Sequence, residues 1–132
     1  TWEGMDAMTT VTAHICAAVV AVTCQFSEVR IVDGDTFAIA SERVRIEGID
    51  TPEIDGKCQK EQALALAAKL RLAQIIDGST VVLERTGTDR YKRTLATVTA
   101  DGADVGTILV SEGLARVWET KWRPEFRDWW CR

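Results

Sequence analysis

Apolar and polar positions alternate in several short runs of this chain, and one longer run carries apolar positions at the three-four spacing of a helix. Residues 29–32, 36–40 and 43–47 read as strands joined by Asp33-Gly34-Asp35 and by Ala40-Ser41. Connections this short imply an antiparallel meander. In the third strand Val44 and Ile46 alternate with Arg43, Arg45 and Glu47. That period sends both arginines to the face opposite Val44, so Arg45 is displayed. Residues 81–84 and 94–99 read as two further strands flanking the polar loop 85–93.

Residues 58–76 read as the strongest helix, with Ala63, Leu66, Leu70 and Ala73 as its apolar stripe and Asp77-Gly78 as its stop. A second helix is expected from Asp104 as N-cap to Gly113, burying Val105, Ile108 and Leu109. Pro124 is placed to open a short terminal helix containing Phe126, Trp129 and Trp130. This order predicts an α+β, mainly β fold, a five-stranded OB-type Greek-key barrel with two or three helices. Residues 28–132 form that domain, preceded by an N-terminal extension, residues 1–27. Within the extension the apolar stretch 15–22 is too short to span a bilayer. Its length suits a signal-peptide core, but no Lys/Arg-rich region precedes it. It reads as an added strand or a packed turn.

A length of 132 residues suits one domain, and an apolar fraction of 46% with 27% charged residues argues against disorder. The net charge of −4 argues against holding nucleic acid by bulk electrostatics alone. The charge is unevenly spread, however. Residues 1–57 carry ten acidic and four basic side chains, net −6, while residues 85–132 carry seven and nine, net +2. A divalent cation held by some of the N-terminal carboxylates would let an anionic substrate approach.

Cys16, Cys24, Cys58 and Cys131 form an even set with no C-x-x-C pair. In an exported protein they allow three connectivities; in a cytosolic one they would be reduced thiols. The pairing we expect is Cys58 with Cys131, tying the first helix to the tail, and Cys16 with Cys24. A secreted or periplasmic location goes with it, a cytoplasmic one being the alternative. A monomer without a membrane partner is expected.

Candidate chemistry lies in three clusters. In Asp33-Gly34-Asp35 two carboxylates at i and i+2 suit a cation, although on its own this is ordinary turn chemistry. Asp50-Thr51-Pro52-Glu53 adds two more acids on a loop whose course the proline fixes. Oxygen donors with no nearby histidine favour Ca²⁺ or Mg²⁺ over zinc, and the one histidine, His14, is a bystander. Thr88-Asp89-Arg90-Tyr91-Lys92-Arg93 sets three cations and an aromatic in one loop, suited to phosphate oxygens and a base ring. Acids together with separated arginines are what metal-assisted phosphoryl transfer requires. Four of the five tryptophans lie from Trp118 onward, the fifth being Trp2. At helical spacing they are expected to pack, with base stacking as the alternative.

Val32-Asp33-Gly34-Asp35-Thr36, Arg45 through Asp50-Thr51-Pro52-Glu53, Asp89-Arg90-Tyr91-Lys92-Arg93 and Gly113-Leu114-Ala115 resemble, in order and spacing, the staphylococcal nuclease (thermonuclease-like) family. The resemblance runs from about residue 29 to residue 117. It implies a calcium-dependent nuclease hydrolysing phosphodiester bonds of DNA or RNA. It further implies that Asp35, Asp50 and the backbone carbonyl of Thr51 coordinate Ca²⁺, and that Asp33 supports the site from behind. Glu53 would orient or deprotonate the attacking water. Arg45 and Arg93 would clamp the phosphate, and Arg90 and Tyr91 would lie near the substrate. Lys92 stands where the family has glycine, so the loop must avoid a left-handed backbone there or accept strain. Trp118, Glu119, Lys121 and Trp122 follow where a family member stacks a base on tyrosines. The rival expectation is a non-catalytic nucleic-acid or protein-binding barrel of the same family. Such a module would normally lack some of these positions.

Overall fold

The structure is a computed structural model, and it describes residues 9–18, 22–118, 124–126 and 128–132. Among these, six strands close into a barrel. They are β1 (Thr10–Ala18), β2 (Val22–Asp33), β3 (Thr36–Ile39), β4 (Glu42–Ile46), β6 (Thr80–Thr88) and β7 (Thr94–Ala100). A short β5 (Ile49–Asp50) pairs with β9 (Arg116–Val117) in a separate two-stranded sheet, and β8 (Ala103–Asp104) edges β7. The antiparallel run β1-β2-β3-β4 is closed by two parallel pairings, β4 with β7 and β1 with β6, and β6 and β7 are themselves antiparallel.

The OB-type barrel and the meander are as the alternation predicts, but the barrel has six strands where five are expected. The sixth is β1. It lies between β2 and β6, pairing His14 with Phe26 on one side and with Thr80 on the other. In it Ala13, Ile15 and Cys16 are buried, so the described start of the N-terminal apolar stretch, residues 15–18, is consumed as barrel wall. Cys16 and Cys24 are direct cross-strand partners joined by a disulfide.

Val29, Ile31, Phe37, Val44, Ile46, Val81, Leu83 and Val98 fill the barrel interior, and helix residues cap it. Helix α1 (Gln59–Ile76) seats Ala65, Ala68, Leu72, Ala73 and Ile76 on the barrel. This rotates the buried face away from the expected stripe. Ala73 is buried, but Leu70 is half-exposed, Ala63 is exposed and Leu66 is 46% exposed. Apolar residues surround this alanine-rich helix, so periodicity alone does not select a face. Close approach selects it: a Cβ added to Gly34 would lie 2.7 Å from the Cβ of Ala68, and nothing larger than alanine and glycine fits there.

Helix α2 (Val105–Ser111) begins as expected, with the Asp104 carboxylate accepting from the Thr107 backbone N–H at 2.8 Å, and it buries Val105 and Leu109. Gly113 follows at φ +77°, the left-handed position that suits glycine. The expected terminal helix is instead two separate 3₁₀ turns, Pro124–Phe126 and Trp129–Cys131. The second turn ends at Cys131, which is bonded to Cys58 at the start of α1. A covalent anchor and ring contacts hold this tail in place of one continuous buried helical face.

Candidate active site

The acidic end of the site is built where β2 turns into β3. A register shift between Ile31 and Asp33 in the β2–β3 ladder re-aims Asp33 at the turn. The Asp35 backbone N–H donates to Asp33 Oδ1 at 3.2 Å, and Thr36 Oγ1 donates to Asp35 Oδ1 at 3.0 Å. Gly34 has an ordinary negative-side backbone, and its lack of a side chain serves the approach of α1 and of Thr51, whose Cγ2 would lie 3.2 Å from an added Cβ. Arg45 Nη2 stands 3.3 Å from Asp35 Oδ2, and Arg45 Nη1 donates to the Ile46 carbonyl at 2.6 Å. The displayed arginine of β4 therefore faces a carboxylate of the β2–β3 turn.

Asp50 arrives on β5, directly opposite Arg116 of β9, and the two side chains form an ion pair of 3.0 Å through Asp50 Oδ2. Thr51 is buried behind it, and Glu53 is exposed on the loop that follows. A buried glutamate organises that loop: Glu61 accepts from the backbone N–H groups of Glu53 and Lys57, both at 3.1 Å. Glu61 is a residue that sequence reasoning missed. Its signal was present in the Cys58-x-x-Glu61 spacing, a capping arrangement in which Cys58 Sγ accepts from the Glu61 N–H at 3.4 Å.

The four expected carboxylates feel one another. Burial, the hydrogen bond to Asp35 and the charges of Asp35 and Glu53 raise the Asp33 carboxyl from 3.8 to about 7. Burial raises Asp50, with Asp35 adding to the effect and Arg116 and Arg45 opposing it. Glu53 is raised by burial and by the charges of Asp35, Asp50, Asp55 and Glu61. Negative charge thus exceeds the two guanidinium groups available to it. Among the described residues no three Asp, Glu, His or Cys side chains close into a ready metal cage. The donor set nevertheless fits a hard cation that completes its shell with water, since carboxylate oxygens are the ligands such ions take.

The second half of the site is the loop between β6 and β7. Strand β6 runs on to Thr88, so the expected loop 85–93 shrinks to five residues. Asp89, which the sequence places in this cluster without giving it a role, is its organiser. Its Oδ1 accepts from the backbones of Tyr91 and Arg93, both at 2.9 Å, and its Oδ2 accepts from Arg93 Nε at 2.7 Å. Burial works against that charge, but these donors hold the Asp89 carboxyl below the usual range. Arg90 Nη2 donates to the Tyr91 hydroxyl at 2.7 Å, and both Arg90 and Arg93 lie over the Tyr91 ring. Arg43 Nη2 supports the loop from β4 through the Tyr91 carbonyl at 2.7 Å. Lys92 has φ +65°, so the loop accepts the strained left-handed position that a glycine would relieve.

Arg45 and Arg93 meet in the wall of one cavity of about 540 Å³, together with Arg90, Tyr91, Leu95 and Trp118. Arg45 is thus the link between the acidic cluster, through Asp35, and this groove. Trp118 is 51% exposed and Trp129 40%, so neither is buried in the core as the aromatic spacing leads one to expect. Trp118 projects at a cavity wall, and Trp129 packs edge-on against Phe126 with ring centres 6.0 Å apart. Trp2, Glu119, Lys121 and Trp122 lie outside the described residues. His14 stands on the β1–β2 hairpin with its ring 5.2 Å from Phe26. A smaller cavity of about 330 Å³ is lined by Asp50, Thr51, Glu53, Arg116, Phe126 and Trp130.

Comparison with known proteins agrees with this architecture. The sequence pattern of the family described as Staphylococcal nuclease homologue matches residues 43–128, a span that includes Arg45, Asp50, Glu53 and Arg93. The chain is 38% identical over 96 residues to the succinoglycan biosynthesis protein ExoI of Rhizobium meliloti (strain 1021), covering 64% of this chain and 48% of that protein. It is 35% identical over 98 residues to an uncharacterized endonuclease of Haemophilus influenzae (strain ATCC 51907 / DSM 11121 / KW20 / Rd), covering 70% and 51%. It is 38% identical over 93 residues to the thermonuclease of Staphylococcus intermedius, covering 66% and 55%. The chain therefore spans about half the length of the curated relatives it matches. With the family pattern covering well over half of a chain that closes into an OB-type barrel, this protein belongs to the staphylococcal nuclease homologue family.

Proposed function

We propose that this protein is a calcium-dependent nuclease that hydrolyses phosphodiester bonds of DNA or RNA. The observation that carries the reading is the placement of Arg45, paired with Asp35 at one end and lining the Arg93–Tyr91 groove at the other. A phosphate bound by both arginines would lie beside the acidic cluster.

Asp35, Asp50 and the Thr51 carbonyl are the groups that would hold Ca²⁺, with Asp33 behind them. When bound, the ion would polarise a phosphoryl oxygen and acidify water. The remaining work falls to side chains. Glu53 is open to solvent at the loop surface, while partial desolvation of its carboxyl and the charges of its acidic neighbours raise its basicity, which suits it to accept a proton from the attacking water. The water oxygen forms a bond to phosphorus as the bond to the 5′-oxygen breaks, and that oxygen leaves as an alcohol after taking up a proton. Arg45 and Arg93 bind the phosphate and stabilise the charge that builds on it, each through a forked guanidinium. Arg90, Tyr91 and the exposed Trp118 offer a cationic and aromatic wall to sugar and base. Two disulfides suit an oxidising compartment, so the proposal includes an exported protein. No described helix is long and apolar enough to cross a membrane.

The test incubates purified protein with single-stranded DNA, duplex DNA and RNA, in Ca²⁺ or in EGTA. Calcium-dependent cleavage is expected, falling about 10²–10³-fold in Arg45→Ala and Arg93→Ala, lost in Glu53→Ala, and nearly kept in Tyr91→Phe. Nucleic-acid binding without cleavage under every condition would move the protein to the non-catalytic barrel.

A further inference from the structure

Arg116 has no part in the proposed hydrolysis, yet it is held by a carboxylate and two aromatic rings. Its side chain is 15% exposed. The guanidinium carbon lies 4.2 Å from the centre of the Phe126 ring and 5.8 Å from that of Trp129. Its Nε is buried with no hydrogen-bond partner among the described residues, while Nη2 reaches Asp50 Oδ2 at 3.0 Å. The aromatic rings come from the tail, and the tail is bonded to the N-cap of α1 by Cys58–Cys131, across 73 residues. A path of contacts therefore runs from the disulfide through the stacked guanidinium to a carboxylate of the acidic cluster.

We propose that Arg116 is a positioning residue for the cation site. It fixes the rotation of the Asp50 carboxylate through Oδ2, and the disulfide-tethered tail keeps Arg116 in place by setting the Phe126 and Trp129 rings against its guanidinium. The inference rests on the reading of Asp50 as a calcium ligand. Two effects of the arginine compete. As a positive charge beside a ligand it repels the ion, whereas as a rigid hydrogen-bond partner it holds the ligand ready. A buried, stacked and covalently backed guanidinium suits the second role, because partners behind a metal ligand typically contribute about 10–100-fold in metal affinity. Among the described residues the tail contributes none to the main hydrophobic core, so loosening it is expected to leave the barrel closed.

The experiment is calorimetric titration of Ca²⁺ into the metal-stripped full chain, with no nucleic acid present. Arg116→Met is expected to weaken binding about tenfold, and Arg116→Lys, which keeps the charge and a donor nitrogen, to restore most of it. Phe126→Ala and the double variant Cys58→Ser/Cys131→Ser are each expected to weaken binding about threefold with Asp50 and Arg116 intact. Equal or tighter binding by Arg116→Met would overturn the proposal, since the arginine would then act only by repulsion. Should Arg116→Met fail to fold, unchanged affinity in Phe126→Ala overturns it instead. A wild-type protein that takes up no Ca²⁺ would sink the calcium reading itself, and that outcome is distinct because no variant would then give heat.

Discussion

Asp33 records most directly what folding does to a single side chain here. A carboxyl raised from 3.8 to about 7 binds more protons in the folded chain than in the unfolded one. Its contribution to stability is therefore present at low pH and lost as pH rises through about 7, and Asp50 and Glu53 shift in the same direction. The metal-free protein should melt at a lower temperature at pH 8 than at pH 5. Asp33→Asn should flatten that slope by removing the charge. Thermal melts in EGTA at the two pH values check this, and identical slopes in both proteins would refute it. The neighbouring arginines were legible from strand alternation alone, because Val44 and Ile46 had to face inward. Asp89 and Glu61 were less legible, because their work is to accept backbone N–H bonds whose geometry exists only after the loops have closed.

Among the elements, α1 governs how tightly the site is assembled, for it rests on the turn that carries Asp33 and Asp35. Gly34→Ala should cost about 1–3 kcal/mol, because the new methyl would stand 2.7 Å from Ala68 and would push the helix off the turn. Gly87→Ala is the control, having open space where the Cβ would sit and an ordinary backbone. Urea unfolding of the two variants decides, and equal losses would mean that the helix does not rest on the turn. The helix was readable as an element from its length and its Asp77-Gly78 stop. Its buried face was not, since an alanine-rich surface offers several equivalent stripes. The tail is less legible for a related reason: its aromatic spacing suits one helix, whereas Cys131 and Arg116 hold two short turns.

Over the whole molecule, charge and covalent ties set the behaviour. An acidic chain of net −4 concentrates its carboxylates where the proposed ion would sit, so the ion should stabilise the fold by binding only the folded form. Calcium at about a hundredfold excess over its dissociation constant would add about 2.7 kcal/mol, a rise in melting temperature on the order of 5–10 °C. Scanning calorimetry in Ca²⁺ against EGTA reads this directly. No change at any calcium concentration would argue that the carboxylates serve some purpose other than cation binding.

The sequence by itself determined the parts that depend on near neighbours. These are the alternating strands of the barrel, the two acidic clusters at their ends, the arginine–tyrosine loop, the cap at Asp104 and the stop at Gly113. Only the tertiary structure decided what depends on segments far apart along the chain. It set β1 between β2 and β6, turned the small-residue face of α1 onto Gly34, and brought Arg116 against Asp50 beneath the rings of the tail. Periodicity reports which way a side chain points from its own backbone, whereas the partner it meets is fixed only when distant segments close around a shared core.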